Sequence, residues 1–490
     1  MKLLNALSIA GIMVGASTAM SVQAGEGNSP NNNIDIPTDS CFWTGPYVKE
    51  NPITNIAFPD TGALYWGGKY TLPAGAKLEL NGRFPHARYM SFNSYDANGE
   101  NPTFAPLDVI RDVEIKPDHK NAKNPFIPGN KRKTPLRNYT VEVASGMPQA
   151  GDHSNLLRSS VADGEQAVIL HRIYVPDDGQ GITGGEYLPA PILTLADGSV
   201  LSEETEVCAE LQAVQEYIEP PTVPANYFAG VMRPGGNQYW PSQGFAPFGL
   251  AAASEENPAS LRRSFSPQTG ITCDYFFSCD YAGAPDVGFY ANIDNAYTYA
   301  YVSNAPKSYV PVAPSQLRPL GLEFTTEAAD PELAVTVFRG KLPTTPTTLN
   351  GDKVMSEGQV RYWSFCTNEY YSQKVTDCVY DEQLTLDEDG YYTIVISWSD
   401  DRPSNATEEC GVNWLSMSDR GDGFGDMIGN PVANNPHESL VIVRNMAPAA
   451  DFDQAIQNIS SQTSTATTLG EYNTTYYQTS VAGFEAKGCY

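Results

Sequence analysis

The sequence lacks the short motifs that identify common classes of enzyme. It has no GxSxG nucleophile elbow, which disfavours a lipase-type esterase, and no HExxH or HxH pair, which disfavours a zinc protease and a metal-binding cupin barrel. A phosphate-binding glycine loop and a dinucleotide fingerprint are both missing, as is the CxxCH motif of covalent haem. No motif therefore predicts a reaction.

Basic residues and long apolar runs are also scarce. Lys and Arg number 30 against 57 Asp and Glu, for a formal net charge of −27. This charge repels phosphate backbones and anionic lipid, so we expect neither a nucleic-acid partner nor binding to a membrane surface. Beyond the N-terminus no stretch is apolar for long enough to cross a bilayer. We interpret the acidity as a device for solubility.

The N-terminal residues predict export. Met1 and Lys2 precede an apolar stretch, and Val22 and Ala24 occupy the small-residue positions that a signal peptidase reads. The apolar core is too short for a lasting membrane span. We therefore predict a signal peptide over residues 1–24 and a mature protein that is secreted or periplasmic.

The eight cysteines all follow the predicted signal peptide. An even number in an exported chain favours disulfides over metal, and neither CxxC nor a close histidine pair indicates zinc. Two pairs are close in sequence, and the other pairs are chosen so that each joins one half of the chain, although sequence alone leaves the connectivity open. The favoured pairs are Cys273–Cys279, Cys366–Cys378, Cys41–Cys208 and Cys410–Cys489.

A pentapeptide recurs, as RYMSF at 88–92 and RYWSF at 361–365. Other similar segments accompany both copies in the same order. The paired segments are NGRFP (81–85) with FRGKLP (338–343), DVEIKPD (112–118) with EQLTLDEDG (382–390), NYTVEVASG (138–146) with YYTIVISWS (391–399), SNLL (154–157) with VNWL (412–415), and VILHRIYVP (168–176) with VIVRNMAP (441–448). A series of this kind is hard to obtain by chance and predicts an internal duplication.

Each copy consists of short alternating segments separated by turn residues. Asp389-Gly390, between two such segments, is a strong hairpin signal. The pattern predicts an all-β fold of two duplicated jelly-roll-like β-sandwich lobes. One helix is predicted over 202–218, with Ser202 as its N-cap and Pro220 beyond its end.

We divide the chain by composition. Residues 219–272 are rich in Pro, Gly and aromatics and are expected to pack against the lobes, whereas the Ser/Thr-rich C-terminal tail is expected to be mobile up to Cys489. The predicted divisions are a signal peptide (1–24), an N-terminal lobe (25–200), a helix and connection (201–290), a C-terminal lobe (291–459) and a tail pinned by Cys489 (460–490).

Several of these segments resemble a known family. RYWSFCTNE, DEDGYYTIVIS, VNWL and LVIVRNMAP are similar to the C-terminal module of secreted bacterial proteins of domain of unknown function 1214. The first half is similar through RYMSFNSYD and HRIYVP. The resemblance implies a jelly-roll β-sandwich module, no established activity and no catalytic residues.

Two histidines distinguish the copies. Positions that the copies share are expected to serve the fold, whereas His86 and His171 stand only in the first copy. Both lie beside predicted strands, so a sheet face can carry an acid–base and anion-holding group. The candidate catalytic residues are His86, Arg88, Asp96 and His171, with Arg172 and Tyr174 beside them. Strand alternation points His171 and Arg172 to opposite faces, so only a subset can converge. We favour a structural hydrogen bond for each histidine.

Aromatic residues offer a candidate ligand site. The YTYAY segment places three tyrosines on one face of a strand, directly after Asn and Asp residues. Aromatic rings stack on sugars while Asn and Asp bind hydroxyls, although a half-buried strand face also favours tyrosine. The candidate ligand-binding residues are Tyr297, Tyr299, Tyr301, Asn292, Asp294, Asn295 and Trp240.

No cofactor is predicted. The acidic glycine-rich segment DRGDGFGD, with Asp419, Asp422 and Asp426, lacks the alternating spacing of a calcium loop, so a solvated loop is favoured and Ca²⁺ stays an alternative.

Three functions remain open. The leading prediction is an exported, disulfide-stabilised protein that binds a small molecule or glycan between or beside the lobes. The alternatives are an extracellular hydrolase or lyase that uses the histidine group, and a cell-surface structural or assembly protein. The oligomeric state is not predicted.

Overall fold

The structure is a computed structural model. It describes residues 40–96, 108–159, 161–215, 217, 254–264, 292–303, 333–369, 372–421, 423, 438–460 and 464–489. All of them belong to one compact unit, Asp35–Tyr490. The predicted signal peptide and most of the predicted connection lie outside these residues, and so do Trp240, Cys273, Cys279, Asp422 and Asp426.

The first half of the chain forms a lobe of two five-stranded sheets. Its strands are β1 (Thr44–Tyr47), β2 (Ala63–Thr71), β3 (Lys77–Arg83), β4 (Ala87–Asp96), β5 (Asp108–Arg111), β6 (Asn138–Ala144), β7 (Leu156–Arg158), β8 (Gln166–Pro176), β9 (Ala190–Thr194) and β10 (Val200–Leu201). One sheet has the order β1-β2-β8-β4-β5, and the other has the order β10-β9-β3-β6-β7. The first is called the inner sheet of lobe 1.

The second half forms lobe 2 in the same manner. Its strands are β11 (Ala259–Ser260), β12 (Arg262–Ser264), β13 (Asn295–Ser303), β14 (Val335–Lys341), β15 (Tyr362–Asn368), β16 (Val375–Tyr380), β17 (Tyr391–Ser397), β18 (Val412–Ser416), β19 (Glu438–Met446) and β20 (Thr475–Thr479). The inner sheet of lobe 2 has the order β12-β13-β19-β15-β16, and the other sheet has the order β11-β20-β14-β17-β18.

The prediction of an all-β fold is confirmed. The two lobes have the same arrangement in the described part of the chain. The second sheet of each lobe, called its outer sheet, ends in a parallel pair, β6–β7 or β17–β18. The other paired strands run antiparallel. Both RY-x-SF segments lie at the beginning of an inner-sheet strand, β4 or β15. Helical structure is limited there to α1 (Glu204–Glu210), α2 (Thr465–Leu469), α3 (Val481–Glu485) and short 3-10 turns.

Strand alternation separates the two faces of β8. Ile169 and Ile173 point into the apolar core of lobe 1, which lies between its two sheets. His171 has the same parity and points the same way, whereas Arg172 and Tyr174 point to the other face of the inner sheet. The predicted opposition of His171 and Arg172 is therefore confirmed, because successive strand residues face opposite sides.

Each lobe has a core of its own, and a further cluster joins the lobes. Trp66 and Phe92 belong to the core of lobe 1, and Trp363 and Phe365 belong to that of lobe 2. The joining cluster combines tyrosines and small apolar residues of both inner sheets, and its buried members are Ala63, Tyr89, Tyr174, Val175, Tyr362, Tyr380 and Met446. The inner sheets therefore face each other across a shared, buried layer.

Three of the four favoured disulfides are present. Cys41–Cys208 joins the residues before β1 to α1, Cys366–Cys378 joins the neighbouring strands β15 and β16, and Cys410–Cys489 joins the residues before β18 to the C-terminal end. The fourth pair lies outside the described residues.

The structure differs from two sequence-based expectations. The predicted helix over 202–218 ends at Glu210, because Gln212 adopts a positive φ and Val214 N–H then bonds to the Lys69 carbonyl on β2. Residues 464–489 are not a mobile tail, since β20 pairs with both β11 and β14 in lobe 2.

The strands β11 and β12 lie within the predicted connection of 201–290, yet each belongs to a sheet of lobe 2. Within the described ranges, no helix is both long and apolar enough to cross a membrane.

Candidate functional site between the lobes

Arg88, the first residue of RYMSF, reaches across to lobe 2. Its guanidinium is fully buried and donates from Nη1 to both carboxylate oxygens of Asp381, at 2.5 and 2.6 Å. Nη2 donates to Glu382, and Nε donates to the Thr348 hydroxyl at 3.0 Å. These partners follow β16 or precede β15, so the arginine of one copy is neutralised by the acidic turn of the other.

Arg361, the first residue of RYWSF, makes the reciprocal contact. Its Nη2 lies 3.5 Å from Asp112 Oδ1 in the acidic turn after β5 and donates to the Phe126 carbonyl at 2.8 Å. Each acidic residue also receives a backbone N–H from its own lobe, Met90 N–H for Asp112 and Trp363 N–H for Asp381. Each acidic turn is therefore held in place by the inner sheet of its own lobe, and its carboxylate contacts the arginine of the other lobe.

The tyrosine of each pentapeptide also donates a hydrogen bond to a carboxylate of the other lobe. Tyr89 Oη donates to Asp294 in lobe 2 at 2.7 Å, and Tyr362 Oη donates to Asp60 in lobe 1 at 2.7 Å. Ser364 Oγ also donates to Asp60, at 2.5 Å. All of these hydroxyls are shielded from solvent, so each depends on its acceptor in this layer.

Two further arginines are buried in the layer. The Arg172 guanidinium lies 5.8 Å from the centre of the Tyr65 ring, and the Arg444 guanidinium lies 5.8 Å from that of Tyr297. Such contacts attract a cation to an aromatic face. Arg172 Nη2 also donates to Tyr95 Oη at 2.7 Å.

Asn93 is fully buried beside Arg172 on the interface side of β4. Its Oδ1 accepts from Arg172 Nη1 at 2.5 Å and from Ser91 Oγ at 3.0 Å. Because a guanidinium only donates, the amide orientation is fixed and Nδ2 points away from Arg172. Nδ2 has no hydrogen-bond partner in the described structure. An amide donor left in this state costs about 1–3 kcal/mol, so it calls for a further acceptor.

Burial sets the protonation of the carboxylates in this layer. It raises the pKa of Asp112 to about 6, against the opposing effect of Arg361. Burial also raises the pKa of Asp381, although Arg88 acts in the other direction. The hydroxyl pKa values of Tyr89 and Tyr362 are raised well above the usual range, first by burial and then by the nearby carboxylates, so both remain donors.

Comparisons with known proteins provide no function. No family model matches the chain, and no curated protein matches it. Among solved structures, the chain is similar to an uncharacterized protein from Burkholderia cenocepacia, with 11% identity, a TM-score of 0.43, and coverage of 91% of this chain and 83% of that one. At this TM-score the likeness carries no argument, so the site is interpreted from its own geometry.

The candidate catalytic residues do not form one group. His171 is inside the core of lobe 1, stacked on Phe92 with ring centres 4.5 Å apart, and burial lowers its pKa to about 4. His86 is half-buried before β4, where burial and then Arg137 lower its pKa to about 4. Arg88 instead belongs to the layer between the lobes. Asp96 ends β4, and its side chain lies outside the described structure.

The candidate ligand-binding tyrosines lie on the predicted strand. Tyr297 and Tyr299 of β13 face the layer between the lobes. Tyr301 belongs to the same strand, and its side chain lies outside the described structure. The side chains of Tyr297 and Tyr299 are 6% and 3% exposed, so neither is an open stacking surface. A ligand that contacts them must be enclosed.

The polar residues before this strand already have protein partners. Asp294 accepts from Tyr89 and, at 2.5 Å, from Arg111 Nε, while Asn292 Oδ1 accepts from the Asp294 N–H. Asn295 Nδ2 donates to Tyr174 Oη at 3.2 Å, and its shielded Oδ1 has no partner in the described structure. Asn295 and Asn93 are thus two candidate ligand contacts.

Two clusters of potential metal ligands lie within the described residues. They are Cys41–Glu204–Cys208 and Asp60–Cys366–Cys378. In both, the sulfurs are joined in a disulfide and cannot act as thiolates. Only Asp419 of the calcium candidates lies within the described residues, so that alternative stays a prediction.

Sequence reasoning missed Asp60, Asp112, Asp381 and Asn93. One signal was available for two of them. Asp112 follows Arg88 by 112 − 88 = 24 residues, and Asp381 follows Arg361 by 381 − 361 = 20, each as the first acidic residue of a short turn. Charged residues that follow corresponding strands in both copies were therefore candidates for mutual pairing.

Proposed function

We propose that the protein is exported and binds a small molecule or a glycan, which it holds enclosed in the polar layer between the two inner sheets. The observation that carries this proposal is the Asn93 amide, whose Nδ2 is buried without a partner in the described structure while its Oδ1 is fully used. A hydroxyl, carbonyl or carboxylate of a ligand would accept from it.

The surroundings of Asn93 favour a polar ligand with an apolar face. Arg172, Tyr95 and Ser91 lie on its side of the layer, and Tyr297 lies on the inner sheet of lobe 2, beside Arg444. Tyrosine rings contact the apolar faces of sugars and other rings, and buried amides fix the orientation of hydroxyls. Sites between rigid lobes are a common place for such ligands.

A hydrolase or lyase that uses the histidine group is less well supported. His171 is buried among Trp43, Trp66 and Phe92, on the opposite side of the inner sheet from Arg172. A general base must reach the reacting proton at hydrogen-bond distance, and this ring is enclosed by the core of lobe 1. It contributes to packing instead.

Three further predictions belong to this proposal: internal duplication, family membership and export. The strand order of the lobes, which matches except at the edge strands β10 and β11, and the reciprocal contacts of Arg88 and Arg361 favour an internal duplication. Membership of the domain of unknown function 1214 family rests on the quoted sequence segments alone. Export is favoured by the three disulfides, which are typical of oxidising compartments.

Native mass spectrometry of the protein purified from its own producer tests the proposal. We expect an added mass that disappears on denaturation. Asn93→Asp should abolish that mass while it preserves folding, because the new carboxylate still accepts from Arg172 and Ser91 but replaces the Nδ2 donor with an oxygen. Asn350→Asp, at an exposed asparagine, is the matched control and should retain the mass.

A bare wild-type mass would contradict the proposal. So would an added mass that Asn93→Asp leaves in place.

A further inference from the structure

The basic residues of this acidic protein are concentrated in one segment of lobe 1. Residues 116–137 contain seven of the 30 Lys and Arg residues and only one acidic residue, Asp118, so the local net charge is 7 − 1 = +6. The whole chain carries −27. Without the buried Arg132 and Arg137, the exposed residues of this segment still carry a net charge of 5 − 1 = +4, opposite in sign to the whole chain.

The lysines of this segment are exposed and available. They are Lys116, Lys120, Lys123, Lys131 and Lys133, called the lysine surface below, and each is exposed. None of them forms an ion pair with a carboxylate of the described residues. By contrast, most surface lysines elsewhere have such a partner, as Lys49 has in Asp377 and Lys341 in Glu471.

The two arginines of the segment serve the fold instead. Arg137 is buried and donates to the Phe84 and Pro85 carbonyls, and Arg132 is buried and pairs with Asp177. The cations that face solvent are therefore all lysines, which bind phosphate as mobile point charges rather than as planar forks.

The backbone of the segment is anchored. Asn124 Nδ2 donates to the Asp112 and Ile115 carbonyls, and Phe126 packs in the core of lobe 1. At the other end Lys131 forms a β-bridge with Val354 of lobe 2. The lysines therefore project from a backbone that these contacts fix in place.

Aliphatic side chains are exposed among the lysines. Ile127 is 40% exposed and Leu136 is 39% exposed, and Val354 beside Lys131 is 43% exposed. No aromatic residue of this segment is exposed, because Phe126 is buried. Lysines with exposed aliphatic groups suit a lipid interface, where the charges meet headgroups and the aliphatic groups enter the acyl boundary. Surfaces that bind single-stranded nucleic acid also stack bases on aromatic rings, and the lysine surface has no exposed aromatic ring for this.

We propose that the lysine surface docks the protein on a membrane that contains anionic phospholipid. The chain's net charge does not prevent this, since charges separated by more than about 8 Å are largely screened at physiological ionic strength. Only the local charge then meets the headgroups. The expectation from composition, that no membrane surface is bound, has a local exception under this proposal.

Vesicle flotation of the full-length mature protein tests the proposal. We expect binding to vesicles of phosphatidylcholine with phosphatidylglycerol, weakening with added salt, and none to phosphatidylcholine alone. A variant with Lys120, Lys123, Lys131 and Lys133 changed to Gln should partition roughly 600-fold less, since each of the four lysines near an anionic surface contributes about fivefold. Ile127→Ser with Leu136→Ser should weaken binding as well, because it removes the apolar contact.

The control variant changes Lys49, Lys77, Lys341 and Lys487 to Gln, which alters the net charge equally at residues outside the lysine surface. It should bind the anionic vesicles like the wild type, and thermal melts of both variants verify folding. Absence of wild-type binding to anionic vesicles would overturn the proposal, and so would an equal loss in the control. Tighter binding to duplex DNA than to vesicles would overturn it in favour of a nucleic-acid surface.

Discussion

The Arg88 guanidinium of lobe 1 donates to both carboxylate oxygens of Asp381 in lobe 2, although the two residues are 293 positions apart in the chain. Arg361 of lobe 2 approaches Asp112 of lobe 1 in return. Each copy of the repeated pentapeptide thus places its arginine on the other copy's acidic turn. The reciprocal pairs make the two lobes depend on each other for the neutralisation of buried charge.

Loss of the Arg88 side chain is expected to destabilise the protein strongly. Arg88→Met should lower the free energy of unfolding by about 3–5 kcal/mol, because it leaves Asp381 buried without its cation. Arg339→Met is the matched control, since the Arg339–Asp387 pair is 43% and 29% exposed, and it should cost less than about 1 kcal/mol. Urea denaturation measures both. Equal effects would contradict a stabilising role for the buried pair.

His171 is expected to make the protein less stable in acid. Its pKa is about 4 in the folded protein and near 6.5 in the unfolded chain, so unfolding takes up a proton between these values. The contribution of the neutral His171 ring to the free energy of unfolding is fully present above pH 6.5. It decreases by about 3 kcal/mol as the pH falls toward 4. His171→Phe preserves a ring beside Phe92 and should remove this loss.

The measurement is the free energy of unfolding from denaturant titrations at several pH values. The lowered pKa of His86 acts in the same direction in both proteins, so the difference between them isolates His171. Parallel curves for wild type and variant would count against the buried, neutral ring.

Asp112 is expected to act in the opposite direction. Its pKa is about 6 in the folded protein and about 3.8 in the unfolded chain, so the folded state holds the proton more tightly. Its contribution is fully present below pH 3.8 and is lost as the pH rises through 6, by up to about 3 kcal/mol. In Asp112→Asn this dependence should disappear. The stability difference between wild type and variant, followed from pH 4 to 7, should therefore change by that amount, and a constant difference would refute the raised pKa.

The Cys41–Cys208 disulfide is expected to contribute most of its effect through the unfolded state. It closes a loop across 167 positions, so its loss frees a long segment of the unfolded chain. Replacement of both cysteines by Ala should lower the free energy of unfolding by about 5 kcal/mol. Oxidised wild type and the double variant are compared in guanidinium chloride, and coincident transitions would contradict the prediction.

The sequence by itself determined the β character and several local relationships. Alternation along β8 placed His171 and Arg172 on opposite faces, and alternation along β13 placed its tyrosines on one face, because strand geometry repeats every two residues. The positions of the cysteines favoured the three disulfides that the described residues contain, although the sequence left their connectivity open. The repeated pentapeptide also marked the corresponding strands β4 and β15.

Only the tertiary structure decided which faces meet. Nothing local to Arg88 indicates that its partner is Asp381, and nothing near His171 in sequence shows that its side of the sheet is the apolar core. The sequence also did not predict β20, because its Ser/Thr-rich composition is typical of a mobile segment. Its pairing with β14 makes it a strand. Periodicity is a property of one strand, whereas burial and charge pairing arise when two sheets dock. Residues hundreds of positions apart become neighbours only then.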